Sequence, residues 1–214
     1  TLEDALEIPV WLENEANLSA LAEKTFVENH KNLIHVSIHA GVGAGIILDH
    51  HLYTGLAGTA GEAGHMIVQP GGRSCPCGNH GCLEQYISEP AVLSHYRELS
   101  GRTTVSIDDL VWAYNQKETA ALAVMDEFTT YLACGINNLW NLFSPECIIL
   151  NCQLTAYLPQ LLPEILQKLS PRFRATCHLT LSTLQDTGVL LGAAKVCISK
   201  YLGTEKLYFS GLQP

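Results

Sequence analysis

The sequence predicts an α/β protein, and three observations carry that reading. Apolar, β-branched runs alternate with stretches of helical spacing. Three of the β-like runs fall close together near the start, with turn residues between them, as in a meander. No repeat or low-complexity tract interrupts the pattern. The composition agrees. Of 214 residues, 47% are hydrophobic and only 15% charged, too apolar and too weakly charged for a disordered chain. Folding at this length buries about 70% of the unfolded surface, enough for one core or for two lobes sharing one.

In order, residues 1–10 read as a short helical stretch running into a β-like segment at 9–12. Residues 14–29 place alanines, leucines and Glu23 at helical spacing, which predicts a helix from about Asn17. Leu33–Ile38 is a strand that runs into a glycine loop, Gly41-Val42-Gly43-Ala44-Gly45. Residues 46–48 are a second strand, turned at 49–51 into 52–53. Residues 55–64 are glycine-rich loop and 66–68 a short strand. Beyond Glu84 the period is helical at Glu89–Ser100, Ile107–Asn115 and Thr119–Phe143, where Ser144-Pro145 stops the last of these. Residues 147–150 read as a buried strand, 159–169 as a helix, 179–184 as a strand and 189–202 as a final helix. The abrupt start is that expected of the later part of a larger protein.

With 12 Lys+Arg against 21 Asp+Glu, the formal charge is −9. This argues against nucleic-acid binding by these residues, because neutralising phosphates needs a basic face. No apolar run reaches the ~18 residues of a membrane span and no signal peptide is visible, so a cytoplasmic protein is expected, with no membrane partner. Eight cysteines are too sparse for a disulfide scaffold, yet three crowd into residues 75–82. Without export signals, such crowding points to a metal.

That cluster is the strongest signal. His65 is followed by nine residues and then Cys75-Pro76-Cys77-Gly78-Asn79-His80-Gly81-Cys82. One imidazole and three thiolates make a complete tetrahedral Zn²⁺ set, so His65, Cys75, Cys77 and Cys82 are the expected ligands of a structural zinc with no open position for water. His80 is an alternative imidazole, awkwardly placed between close cysteines. Buried thiols without metal, a disulfide and iron–sulfur ligation are the competing readings. Cys134, Cys147, Cys152, Cys177 and Cys197 read as small core residues.

Glu62 and Glu84 flank the metal ligands, so fixing the loop fixes them. Together with His65 they suit the hydroxyls of a sugar. The other reading makes Glu62 a loop residue and Glu84 a first-turn acid of the next helix. Glu13-Asn14-Glu15-Ala16-Asn17 is a second polar group, for which helix capping by Asn14 or Asn17 is the simpler account. His50 and His51 read as solvated turn residues. The stripe from Leu122 to Phe143 reads as core or subunit interface, and residues 205–214 as a docked or disordered tail.

These residues carry a resemblance. Glu62-Ala63-Gly64-His65, the cysteine run ending at Glu84, Asn14-Glu15-Ala16-Asn17 and Gly41–Gly45 occur in the order of the ROK family, which groups bacterial sugar kinases with sugar-responsive repressors. Asn141–Leu150 and Leu191-Gly192-Ala193-Ala194 resemble later motifs of the family, so the likeness spans essentially the whole chain. It implies an actin-like (ribonuclease H-like) two-lobed sugar kinase fold, mostly its C-terminal lobe with a zinc-bound loop. The implied division is 1–31 for the end of the N-terminal lobe, 32–190 for the C-terminal lobe with its zinc loop at 64–84, and 191–214 for the last helix and tail. The resemblance assigns sugar contacts to Asn14, Glu15, Glu62, His65 and Glu84.

Departures from the kinase pattern decide the expected role. In the kinases the Glu15 position is an aspartate acting as general base, and the extra methylene displaces the carboxylate by roughly 1 Å, which costs on the order of 100-fold. Where kinases place Gly-Thr to hold phosphate, this chain has His39-Ala40. Where a glycine run admits adenosine, it has Asn151-Cys152-Gln153. Gly41, Gly43 and Gly45 would then be a vestigial phosphate loop, and the first phosphate loop of the family would lie before Thr1. The resemblance is nearest to the branch of N-acetylglucosamine, glucose and xylose regulators. It implies a sugar or sugar-phosphate effector and a homo-oligomer, dimer or tetramer. Operator DNA would be held by an N-terminal helix-turn-helix domain outside this sequence, and a sugar-transport protein is a possible further partner. No catalytic residue is expected; the alternative is an ATP-dependent sugar kinase with Glu15 as base.

Overall fold

Short helices and strands alternate from the first residues of the computed structural model, which describes residues 1–27 and 29–204. Thr1 caps α1 (Leu2–Leu6) in a reciprocal pair with Asp4. Residues 9–12 join no strand among the described residues, and the Val10 N–H instead donates to the Glu3 carboxylate, 2.9 Å. The β-like reading of that segment is therefore corrected: a lone extended run has no stability without a strand to pair with. Helix α2 (Glu15–Phe26) begins two residues before the sequence places it. The Asn14 carboxamide accepts the Ala16 and Asn17 N–H groups, at 2.8 and 3.4 Å, and so draws the first turn back to Glu15.

Then come β1 (Leu33–Ile38), β2 (Val42–Leu48) and β3 (His51–Leu52), antiparallel neighbours as expected of a meander. Past the metal-ligand segment lie α3 (Glu84–Ile87), α4 (Glu89–Ser100), α5 (Ile107–Asn115), α6 (Thr119–Phe143) and β4 (Cys147–Cys152). The chain closes with α7 (Gln153–Tyr157), α8 (Leu161–Lys168), α9 (Pro171–Thr176), β5 (His178–Leu181) and α10 (Thr187–Leu202). The sheet order is β3-β2-β1-β4-β5, with β4 parallel to both β1 and β5. Residues 205–214, read above as a tail, lie outside the described residues.

Strand alternation divides the interior into two layers. Ile34, Val36 and Ile38 of β1, Val42, Ala44 and Ile46 of β2, and Ile148 and Leu150 of β4 face a large core closed by α3–α6, α8 and α9. Leu33, Ile47, Cys147 and Ile149 face the other way, against Ala20 and Leu21 of α2 and Val196 of α10. This second layer also receives the buried polar residues of the sheet. By the same alternation it holds His35, Ser37 and Asn151, with Ser37 opposite Asn151. Helix α6 buries its stripe from Ala121 to Trp140, while Leu142 stands exposed beyond it.

Three further expectations change. The glycine run is not a loop: only Gly41 lies in the turn, while Gly43 and Gly45 belong to β2. They are glycine because α2 crosses there, and a Cβ on Gly45 would stand 2.2 Å from the Ala16 carbonyl oxygen. Residues 66–68 make no strand but a single bridge, Ile67 to Cys82. Cys197 is exposed and Cys134 half-buried, so only Cys147, Cys152 and Cys177 are the core residues expected.

Candidate functional site

The metal-ligand reading of the sequence sets four side chains apart, and the fold brings those four together. Among the described residues, the ligand atoms of His65, Cys75, Cys77 and Cys82 lie within 4.8 Å of one another. Cys75 Sγ is 3.6 Å from His65 Nδ1, and Cys77 Sγ is 3.6 Å from Cys82 Sγ. Tetrahedral bonds of about 2.3 Å to sulfur place neighbouring sulfurs about 3.7 Å apart. The donor set and these two separations thus fit a four-coordinate cation. His80 is outside the group and exposed, its backbone bridged to Ser74, so His65 is the imidazole of the set.

Local backbone explains the convergence. The Gly78 N–H donates to the Cys75 carbonyl at 3.0 Å and the Cys75 N–H to the Asn79 carbonyl at 2.9 Å, curling the loop back on itself. Gly78 adopts φ 94°, open to glycine without strain. The Gln85 carboxamide donates to Cys75 Sγ at 3.7 Å. The Asn79 backbone N–H lowers the Cys77 thiol pKa. Burial, then the neighbouring thiols, push Cys82 up to about 12. A divalent cation reverses that penalty, since close thiolates are stable together around positive charge.

Strand β2 organises the remaining candidates. Its Ala44 N–H donates to the Gly61 carbonyl, 2.8 Å, and a Cβ on Gly61 would stand 1.9 Å from the Ala44 carbonyl oxygen. That contact seats the 3-10 turn Ala63–His65 and the Glu62 before it. Glu62 is exposed, and its carboxylate lies 3.9 Å from His65 Nε2, the ring nitrogen turned away from the thiols. Glu84, half-buried at the start of α3, accepts the Val42 N–H at 3.2 Å. Its Oε2 would lie 3.1 Å from a Cβ on Gly41. Asn14 and the exposed Glu15 arrive on α2, whose Ala16 packs on Gly43 and Gly45. Among the described residues no hydrogen bond joins Asn14 or Glu15 to Glu62, His65 or Glu84; β2 is what they share. Glu13 is a further organiser, its Oε1 accepting the Asn14 N–H and the buried Asn17 carboxamide, both at 2.9 Å.

The positions expected to differ from a nucleotide site stand at the carboxyl ends of β1 and β4. His39 is half-buried in the turn after β1. Its carbonyl accepts the Glu89 N–H at 2.9 Å, and its Nδ1 lies 3.7 Å from the Glu89 carboxylate. Asn151 and Cys152 do not follow β4 but complete it, both buried, and Gln153 opens α7. Burial pushes the Cys152 thiol up to about 11.

Sequence reasoning missed Arg73, Tyr86, Glu127 and Tyr131, which fasten the metal-ligand loop to α3 and α6. No local spacing marks them, because their partners are up to 62 residues apart. Scarcity of cations, 12 in 214 residues, was the one available hint that a loop arginine has a structural partner.

Comparison with known proteins adds four findings. The family model described as "ROK family" matches residues 1–200. The chain is 34% identical to the xylose repressor of Bacillus spizizenii over 212 residues, covering 96% of this chain and 55% of that protein. It therefore spans about half the length of such curated relatives. A solved ROK family transcriptional regulator, described as a homolog of the E. coli MLC protein, superposes with TM-score 0.76 at 31% identity, covering 90% of this chain and 52% of the other. A ROK glucokinase from Streptomyces griseus, solved with glucose and AMPPNP, gives TM-score 0.81 at 25% identity, covering 91% and 70%. The α/β fold is thus the actin-like one shared by sugar kinases and repressors of this kind.

Proposed function

The chain belongs to the ROK family, and from that premise we propose that it is the sugar-sensing, oligomer-forming part of a transcriptional regulator. The observation that carries this reading is a contrast along one sheet. On β2 the metal-ligand set and the carboxylates Glu62 and Glu84 are seated by backbone contacts. At the ends of β1 and β4, where the resemblance puts phosphate and adenosine, stand the His39 ring with its Glu89 partner and the buried pair Asn151-Cys152. A sugar is gripped by Asn14, Glu15, Glu62, His65 and Glu84. The relative named a xylose repressor makes D-xylose the first sugar to try.

The cation is zinc in this reading, since three thiolates and an imidazole are its preferred closed set. Held by His65, Cys75, Cys77 and Cys82, it supplies no reaction chemistry but fixes the loop. His65 binds it through Nδ1 and turns Nε2 toward the Glu62 side. The division at residues 31 and 190 into two lobes belongs to the same proposal. Sugar binding favours one arrangement of lobes and subunits over another by its differential affinity, and so alters DNA affinity. The charge of −9 supports DNA contacts on residues outside this sequence.

A second reading, an ATP-dependent sugar kinase with Glu15 as base, draws on the likeness to the glucokinase structure. Calorimetry with D-xylose, D-glucose and N-acetyl-D-glucosamine, run beside a phosphate-transfer assay with ATP, separates the two. Sugar binding without transfer supports the sensor; turnover above about 1 s⁻¹ sinks it.

A further inference from the structure

The metal-ligand loop is held from outside by a network centred on one arginine. Arg73 lies two residues before Cys75, half-buried, and its guanidinium bridges two other elements. One nitrogen donates to the Gln85 carbonyl of α3 at 2.9 Å. The other donates to Glu127 Oε1 of α6 at 2.7 Å and lies 3.3 Å from His95 Nδ1 of α4. His95 Nδ1 is in turn 2.9 Å from the same Glu127 oxygen. The plane of the guanidinium sits 4.6 Å above the Tyr86 ring, and the Arg73 N–H donates to the Tyr86 hydroxyl at 2.9 Å. Tyr86 stacks on Tyr131 of α6, with centroids 4.1 Å apart. The Tyr131 hydroxyl reaches back to Gln69 in the loop, 3.5 Å. Since Glu127 and Tyr131 are one turn apart, both fastenings fall on one face of α6.

The position of this network matters more than its strength. Gln85 is the residue after Glu84, and its own side chain donates to Cys75 Sγ. A guanidinium on the Gln85 carbonyl therefore fixes the first turn of α3 at the point where Glu84 leaves it for Val42. We propose that Arg73 and Glu127 form a latch that positions Glu84 and the metal-ligand loop for the sugar, making Arg73 a positioning residue and the site dependent on α6. The ordering rests on fork geometry: a guanidinium holds its donors in a rigid plane that spans a carbonyl and a carboxylate and lies over the Tyr86 ring, whereas an ammonium is a compact point charge without that fixed span. The inference rests on the sugar-binding reading for its consequence, though not for the latch itself.

Four variants test it: Arg73→Gln, Glu127→Gln, the double, and Arg73→Lys. Zinc content, amide exchange across residues 66–86 and calorimetry with D-xylose, D-glucose and N-acetyl-D-glucosamine are the readouts. We expect each single variant to keep one zinc per chain, to exchange the segment about tenfold faster, and to bind its sugar about tenfold more weakly. The double variant should lose no more than either single one, because both break the same latch. Arg73→Lys should recover less than half of the lost affinity. Unchanged exchange in both single variants, or additive losses in the double, would overturn the latch. Should the parent protein take up none of the three sugars, the sensor reading falls while exchange still judges the latch. If Arg73→Gln does not fold, Glu127→Gln decides alone.

Discussion

At the scale of single residues, burial separates what charge and sequence position confuse. His35 and His65 are both histidines near β-structure, yet only one belongs to the site. His35 points into the α2–α10 layer with Ser37 as its neighbour, 3.4 Å away, and is 1% exposed. Desolvation first, and the nearby His39 second, lower its pKa to about 3. The consequence has a definite sign. Between about pH 6.5 and pH 3 the unfolded chain binds a proton here that the folded chain refuses, so stability is full above 6.5 and falls as pH drops. The slope from this group is about 1.4 kcal/mol per pH unit. Urea unfolding at pH 6 and pH 4 should therefore show a smaller acid loss for His35→Leu than for the parent. Equal losses would mean that His35 is protonated in the fold. Carboxylates also titrate in this window, but they do so in both proteins and cancel in the difference.

At the scale of elements, the N-terminus of α2 holds two readings of one residue. Asn14 caps the helix, as the sequence suggested on its own, and the family resemblance makes it a sugar contact as well. Asn14→Ala should cost about 1 kcal/mol of stability through the lost cap. Asn14→Ser should restore most of that, because a hydroxyl still accepts the first-turn N–H groups, but it lacks the carboxamide's reach. If D-xylose affinity recovers along with stability in Asn14→Ser, Asn14 serves only as a cap. The same helix shows what the sequence could and could not reveal. Periodicity found α2, α4, α5, α6, α8 and α10, because each is long enough to display a face. It missed α3, α7 and α9, at four to six residues, which packing and neighbouring turns hold in place. The glycine-rich first half of β2 was read as a loop because its glycines look like freedom; Gly43 and Gly45 are close approach to α2, set by a helix some 25 residues earlier. The candidate metal ligands were legible since four donors at fixed spacing need no knowledge of the fold. The Arg73 latch was not, for its partners meet only after folding.

At the scale of the whole molecule, the question is how much of the fold depends on the cation. The large core between the sheet and α4–α6 contains Leu83, Tyr86 and Ile87 from beside the loop but none of the four ligands. The sheet itself is completed by β1, β4 and β5 without them. Stripping the metal should therefore loosen the loop and α3 rather than melt the molecule. Binding to the folded state alone stabilises by about 4 kcal/mol when free metal exceeds Kd a thousandfold. For a chain of this size that corresponds to roughly 8–16 °C in Tm. A chelator such as phenanthroline should lower Tm by that order while far-UV circular dichroism keeps nearly all its helical signal. Cys77→Ala, at the exposed ligand, should reproduce both effects and cut zinc affinity at least about 100-fold. D-xylose affinity should fall with it, because Glu62, His65 and Glu84 stand on either side of the same loop. A Tm and sugar affinity untouched by Cys77→Ala would leave the four donors as a cluster of thiols with no part in holding the site. A collapse of the helical signal would instead show that the ion supports the core itself, contrary to where the ligands lie.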